Sequence, residues 1–395
     1  MYYFLWVLYI ISSIIVLYSN KLSEKYRKIV YLLLLLCLAS LIIFRPSTTP
    51  DYMSYKDIFD MCNVNNNYGF NLFSRELSTG IEYGYIYLIL FFKLVFGENY
   101  ILFLGIITFL SILLTIEYLL KVINKLFLKE NNLTNAFQYR IVALIFFSSY
   151  YALNYQAIAI RAGLSFMFCI ISFYYIIEKK YLISFMLFIL GFSIQRMTLI
   201  LLPIILVYYF FPCFKNKKKY LQASLFFIIM FIILDKTGII DQLFILLNFI
   251  LKSFFKIVSL DDYTNYLANF HFANKLDAKR IWMILTSLYT VVFVSDNENY
   301  KKILNIFLSG IVILFLTSNI TGSARIYDYF CFFSIPLMVY IWINNDRTYV
   351  SNITNNIRLL KENIINYRIN IIKDVIWIVL LLGYYVISFH VWGII

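Results

Sequence analysis

Apolar runs recur along the whole chain, and in lipid such runs satisfy their backbone polar groups only as helices or closed barrels. A helical span needs about 20 apolar residues. The candidates are Tyr2 to Ser19, Ile29 to Phe44, Tyr100 to Leu120, Ile141 to Leu153, Ile158 to Ile177, Tyr181 to Ile194, Met197 to Phe211, Tyr220 to Leu234, Ile281 to Ser295, Ile303 to Ser318, Ile326 to Ile343 and Val375 to Trp392. Of 395 residues 62% are hydrophobic and 14% charged, against roughly half and a quarter in soluble domains. The expected fold is therefore an all-α, polytopic transmembrane bundle. The first run lacks a basic leader and a small-residue cleavage site, so it is expected to be retained as a span.

The formal charge of +13 would suit nucleic acid, but the basic residues fall in short loops beside the spans, as the positive-inside pattern requires. Their clusters are Lys21/Lys25/Arg27/Lys28, Lys121/Lys125/Lys129/Arg140, Lys179/Lys180, Lys215/Lys217/Lys218/Lys219, Lys301/Lys302 and Arg347/Arg358/Lys361/Arg368/Lys373. All share one side only if the short segment Glu82 to Phe96, which carries Gly84 and Lys93, does not cross. That segment is expected to be re-entrant or to lie at the outer interface, giving about twelve crossings in a single membrane domain, 1–395, with both termini outside. Outer loops are expected at 45–81 and 235–279. Within the second, the amphipathic run Leu243 to Ile257 suits a surface helix or a cap. The basic segment 344–373 is expected on the anionic inner leaflet, and Glu178 to Tyr181 and Pro212 to Lys219 form tight inner hairpins.

The same parity gathers Arg45, Asp51, Glu82, Arg161, Gln195, Arg196 and Arg325 on the outer face. Ionisable groups at a lipid boundary are costly and usually functional. Arg161, about one turn inside a span and followed by Gly163, must snorkel, pair with an acid or bind an anion. Arg325 has Asp328 one turn on, a spacing that also fits an ion pair, and Arg196 in its tight turn is equally compatible with solvation. Clustered arginines would make a pocket for a diphosphate. Asp51 and Glu82 are the acids for proton transfer. Tyr55 and Tyr85 offer flat faces for sugar rings, although an interfacial belt accounts for most of the 35 tyrosines. The five cysteines are odd in number and show no CxxC spacing, and two distant histidines exclude HExxH chemistry, so neither disulfides nor a metal are expected.

Arg45 with Asp51 and Tyr55, Glu82-x-Gly84-Tyr85 opening a short apolar helix, Arg161 followed by Gly163-Leu164, and Arg325 followed by Tyr329-Phe330 and Pro336 together resemble the EpsG family of bacterial polysaccharide polymerases. These are similar in role to Wzy-type O-antigen and capsule polymerases. The likeness runs from about Ile29 to Tyr340. The chain departs from the family's pattern at Pro46 to Pro50, where glycines are usual, at Ala162 in place of Gln, and at Gln195 in place of His. The resemblance implies a GT-C-like membrane glycosyltransferase that moves a growing glycan from undecaprenyl diphosphate to the next lipid-linked repeat unit at the outer face of the cell membrane. It implies no cofactor, and as partners the undecaprenyl-diphosphate-linked oligosaccharide, the bilayer and a chain-length regulator. On this reading Arg45, Arg161, Arg196 and Arg325 hold the diphosphate, and Tyr55, Tyr85 and Gln195 contact sugar. The rival classes are a lipid-linked glycan flippase, for which polar groups near mid-bilayer are expected, and a ligase or acyltransferase of the same pathway.

The topology is checked by single cysteines in a cysteine-free background. Positions beside Asp51 and Asp262 are expected to react with impermeant reagents from outside, and reaction only from the cytoplasm would overturn the assignment.

Overall fold

The computed structural model describes residues 2–18, 24–47, 49, 51–62, 82–127, 136–237, 278–294, 297–316, 324–343 and 372–387. Their regular structure is helical throughout, with no strand among the described residues. In chain order the helices are α1 (Tyr2–Tyr18), α2 (Glu24–Ile43), α3 (Tyr52–Met61), α4 (Tyr83–Phe96), α5 (Tyr100–Phe127) and α6 (Ala136–Ser149). A π-helical segment (Ala152–Ile158) leads into α7 (Ile160–Ile177), α8 (Tyr181–Ile194), a 3₁₀ turn (Arg196–Ile200) and α9 (Leu201–Phe210). Then come α10 (Lys217–Lys236), α11 (Ala278–Val292), α12 (Glu298–Leu316), α13 (Ala324–Cys331), α14 (Ser334–Ile343) and α15 (372–387).

Lys25–Ile43, Tyr100–Phe127 and Ile160–Ile177 are the described helices long and apolar enough to cross a membrane. A further pair, Tyr139–Ser149 with Ala152–Ile158, is bent by 65°. The run Ile141 to Leu153 is thus not one straight span: its helix stops at Ser149, and the chain turns through a π-helical segment before the next span begins. Shorter apolar helices include Tyr83–Phe96 and Tyr181–Ile194. Most of the outer loops 45–81 and 235–279, the run Leu243 to Ile257 and most of the inner loop 344–373 lie outside the described residues. On α8 the apolar side chains Leu182, Phe185, Met186, Ile189 and Leu190 are exposed, the surface expected of a helix that meets lipid tails.

The chain divides into two compact units, Met1–Leu202 with Met338–Ile395, and Pro203–Leu337. In the first, α5 and α7 run parallel. Ser111 Oγ donates to the Gly163 carbonyl at 3.4 Å, the Tyr118 and Tyr175 hydroxyls meet at 3.4 Å, and Lys125 Nζ lies 2.9 Å from Glu178. Tyr100 lies about 16 Å before Ser111 on α5 at 1.5 Å per residue, so the first turns of α5 project beyond the start of α7. Tyr55, Phe59, Tyr85, Phe92, Tyr100 and Phe103 pack there as one aromatic core with Ile86, Ile89 and Ile107. Further along, Arg140 of α6 forks onto Glu117 of α5 at 3.1 and 3.4 Å, and the Tyr31 hydroxyl of α2 donates to the same carboxylate at 3.4 Å.

The expected hairpin after α7 is present. Lys179 adopts φ 59°, and the Lys179 and Lys180 amides return to the Ile176 and Tyr175 carbonyls at 2.9 and 2.8 Å, closing the helix end. In the second unit the loop before α10 is tied by α12. Asn305 Nδ2 donates to the Pro212 carbonyl at 3.3 Å, Lys301 Nζ to that of Lys215 at 3.3 Å, and the Tyr220 hydroxyl to Asn305 Oδ1 at 3.2 Å. Asp328 of α13, 1% exposed, is held by Lys279 of α11 at 2.9 Å, a pairing the spacing to Arg325 does not reveal.

Gly84 brings the start of α4 against the end of α8. A Cβ there would lie 2.3 Å from Ser193 Oγ and 2.6 Å from its backbone carbonyl. Gly84→Ala is therefore expected to cost about 1–3 kcal/mol by overpacking, read as a lower midpoint in denaturant with the protein in detergent. Gly105→Ala, whose Cβ meets only Ile43 Cδ1 at 3.4 Å, serves as the control and is expected to be tolerated.

Candidate functional site

The backbone break between the π-helical segment and α7 fixes the central side chain. Ala159, at φ −104° and ψ 70°, is neither helical nor extended, and α7 restarts at Ile160. Arg161 therefore stands in the first turn of a new helix. There the free amide ends make the local potential positive, and a guanidinium is favourable only if a carboxylate comes to it. Glu82 supplies that carboxylate from a segment far away in sequence. Its Oε2 accepts from Arg161 Nη1, and its Oε1 accepts from the Arg196 amide at 3.2 Å, at the start of the 3₁₀ turn. The two side chains are 12% and 19% exposed, for Glu82 and Arg161 respectively, so the pair is largely withdrawn from solvent. Glu82 precedes α4 without capping it, which leaves its carboxylate for this bridge.

Three helical starts, those of α4, α7 and the 3₁₀ turn, thus meet at one ion pair. The turn after α8 is held from beneath. The Thr198 amide and hydroxyl both donate to the Gln195 carbonyl, at 3.1 and 2.8 Å, and the Ser165 hydroxyl of α7 meets Thr198 Oγ1 at 2.7 Å. Gln195 is buried beside this turn, and its side-chain Oε1 has no hydrogen-bond partner among the described residues.

Above the pair lies the aromatic core. Tyr55 and Tyr85 interact electrostatically with the Arg161 guanidinium, and their rings meet edge to face at 5.9 Å. Tyr85 is fully buried and Tyr55 nearly so. Among the described residues both rings are packed into this core, where they stand beside Arg161. Arg45, buried at the end of α2, donates from Nη1 to the Ile42 carbonyl at 3.0 Å and lies 4.9 Å from the centre of the Tyr52 ring. The Tyr52 ring packs edge to face on Tyr100 at 5.9 Å, so Arg45 joins the rim of the same cluster. Asp51 is exposed, with φ 62° and no capping bond from its side chain. That left-handed conformation is uncommon for a residue with a Cβ and recurs at functional positions. Burial pushes the Cys62 thiol up despite nearby Lys93, so it is no ready nucleophile.

Of the residues singled out in the sequence, Glu82, Arg161 and the Arg196 backbone are in direct contact, Gln195 adjoins them, Tyr55 and Tyr85 pack above, and Arg45 and Asp51 flank α3. The Arg196 side chain is exposed. Arg325 opens α13 in the second unit, and its side chain lies outside the described residues. Sequence reasoning passed over Ser111, Gln156, Tyr100 and Thr198. A polar stripe at Thr108, Ser111 and Thr115 in an apolar span, and an amide in an apolar run beside Arg161, were the available signals, because uncompensated polar groups are costly there. Among the described residues no three of His, Cys, Asp or Glu gather into a metal-ligating group.

A family model described as the EpsG family matches residues 28–360. No curated protein and no solved structure matches the chain.

Breaking the pair on one side strands a charge. Glu82→Ala is expected to cost about 3 kcal/mol, the scale for an orphaned buried ion. The double variant Glu82→Ala/Arg161→Ala is expected to cost less than the two single losses added together. Denaturant titration in detergent reads this cycle, and strictly additive losses would show that the two side chains are not energetically coupled.

Proposed function

The chain belongs to the EpsG family, whose members are Wzy-like polysaccharide polymerases, and on that premise we propose that it transfers a growing glycan from undecaprenyl diphosphate to the next lipid-linked repeat unit at the outer face of the bacterial cell membrane. The proposal includes the remaining topology, about twelve crossings in a GT-C-like bundle with α4 re-entrant or lying at the outer interface, and a chain-length regulator as partner. The observation that carries the site assignment is the setting of Glu82. Its carboxylate is held by a guanidinium and by an amide at a helical start, the donors that phosphate oxygens also use. Arg161 is the principal ligand for the diphosphate, and Arg45 and Arg196 supply further positive charge.

In the reaction a hydroxyl at the non-reducing end of the incoming repeat unit attacks the anomeric carbon of the growing chain. A C–O bond forms, the bond from that carbon to the diphosphate oxygen breaks, and undecaprenyl diphosphate leaves with the electron pair. Arginine neutralises the charge that develops on the leaving group, where fixed donors in a site withdrawn from water are most effective. The hydroxyl proton goes to a carboxylate. Glu82 has both oxygens engaged, which makes it the residue that aims Arg161, while exposed Asp51 takes the proton. Gln195 contacts a sugar hydroxyl through its Oε1.

Membranes supplied with lipid-linked repeat units test the reading through the ladder of polymer lengths. Asp51→Asn is expected to slow extension by about two to four orders of magnitude, the usual contribution of a general base. Arg161→Lys is expected to lose roughly ten- to a hundredfold, because a point charge does not reproduce the guanidinium fork. A wild-type ladder from both variants at matched protein levels would remove the site. Transbilayer movement without lengthening would indicate a flippase, and attachment of finished glycan to a different lipid would indicate a ligase.

A further inference from the structure

The helix break before Arg161 is clamped from both sides by a single residue of the neighbouring helix. On the near side, Gln156 of the π-helical segment donates from Nε2 to Ser111 Oγ at 2.9 Å. On the far side, that hydroxyl donates to the Gly163 carbonyl at 3.4 Å. Gln156 and Ser111 are 1% and 0% exposed, so these bonds form where water does not compete and where leaving a donor unmet is costly. The two clamped positions bracket Arg161 in sequence.

The backbone around the clamp is tight. A Cβ on Gly163 would lie 2.3 Å from the Tyr155 carbonyl oxygen and 2.8 Å from the Gln156 carboxamide. Glycine is what lets the first turn of α7 close onto the π-helical segment. The Ala159 amide reaches the Asn154 carbonyl at 3.1 Å, five residues back, and the Gly163 amide takes the Ala159 carbonyl at 3.0 Å. One hydrogen-bond ladder thus ends and the next begins within the bracket, while the preceding helix pair is bent by 65°. π-Helical insertions of this kind are often placed where a side chain must be re-aimed.

We infer that Gln156, acting through Ser111, is a positioning residue for Arg161: the Gln156–Ser111–Gly163 clamp sets the angle at which α7 starts and so the direction in which the guanidinium is delivered to Glu82. This rests on the reading of Arg161 as the diphosphate ligand. Neither Gln156 nor Ser111 touches the transferred group. Their effect on turnover passes entirely through Arg161, and misplacement of a positioned group by about 1 Å is enough to cost roughly a hundredfold.

The test uses Gln156→Leu and the milder Ser111→Ala in the full-length protein, each alone and combined with Arg161→Lys, with rates normalised to the monodisperse fraction recovered in detergent. Each variant alone is expected to slow chain extension by about ten- to a hundredfold. In the Arg161→Lys background each is expected to add less than twofold, because the side chain they aim is already gone. A purely structural role, or direct contact with substrate, predicts losses that multiply, and that result would overturn the inference. A second readout needs no turnover. The coupling between Glu82→Ala and Arg161→Ala in denaturant titration is expected to fall by at least half in the Ser111→Ala background, and an unchanged coupling would also overturn it. If Arg161→Lys is inactive while Gln156→Leu and Ser111→Ala extend chains normally, the inference fails and the diphosphate reading stands. If Arg161→Lys is itself fully active, both fail.

Discussion

A guanidinium at the start of a helix inside an apolar bundle is expensive until a carboxylate meets it, and that requirement organises the first unit. Glu82 lies at the head of a short helix, and it reaches Arg161 only because Gly84 lets that helix touch the end of α8. The second oxygen of the same carboxylate then takes the amide that opens the 3₁₀ turn after α8. The close crossing, the turn and the ion pair are one construction. Burying the pair in such surroundings adds little stability compared with apolar packing, but it severely penalises any arrangement that separates the partners.

The same rule recurs through the fold. Arg140 is forked onto Glu117, Lys279 holds Asp328, and Lys93 lies 4.5 Å from the centre of the Phe59 ring. What sets Arg161 and Glu82 apart is the company of helical starts, a buried amide beside them, and an aromatic lid formed by Tyr55 and Tyr85. On the proposed reading, a leaving diphosphate needs concentrated, fixed positive potential, which a helical start and a guanidinium together supply. The Arg161 and Glu82 side chains are 19% and 12% exposed, so little of that potential is lost to water.

Much of this was legible without coordinates. Apolar runs of span length dictated an all-helical membrane protein, because a backbone in lipid has few other ways to satisfy itself. The short motifs around Arg45, Glu82 and Arg161 pointed to the family, and the placement of charged residues at the ends of apolar runs marked Glu82, Arg161 and the Gln195-Arg196 turn as members of one region. These are local signals: each depends on the residues within a few turns of itself.

What the tertiary structure decided depends on partners far apart in the chain. Tyr55 and Tyr85 read as sugar platforms because aromatic faces suit that use, and no local pattern signals that their rings meet each other and that Tyr85 meets Phe103 in one buried cluster. The spacing of Asp328 to Arg325 fits a local ion pair, but it gives no sign of Lys279, nearly fifty positions away, which the structure brings to the same carboxylate. The run from Ile141 read as a straight span, since hydropathy does not register a helix that changes its hydrogen-bond period and bends. The sequence by itself determined the solvent, the secondary structure and which residues carry charge, because hydropathy and helix formation act over neighbouring residues. Only the packed bundle decided which acid meets which arginine, because that depends on helix crossings, and those are set by contacts such as Gly84 on Ser193 and Gln156 on Ser111 that no local pattern encodes.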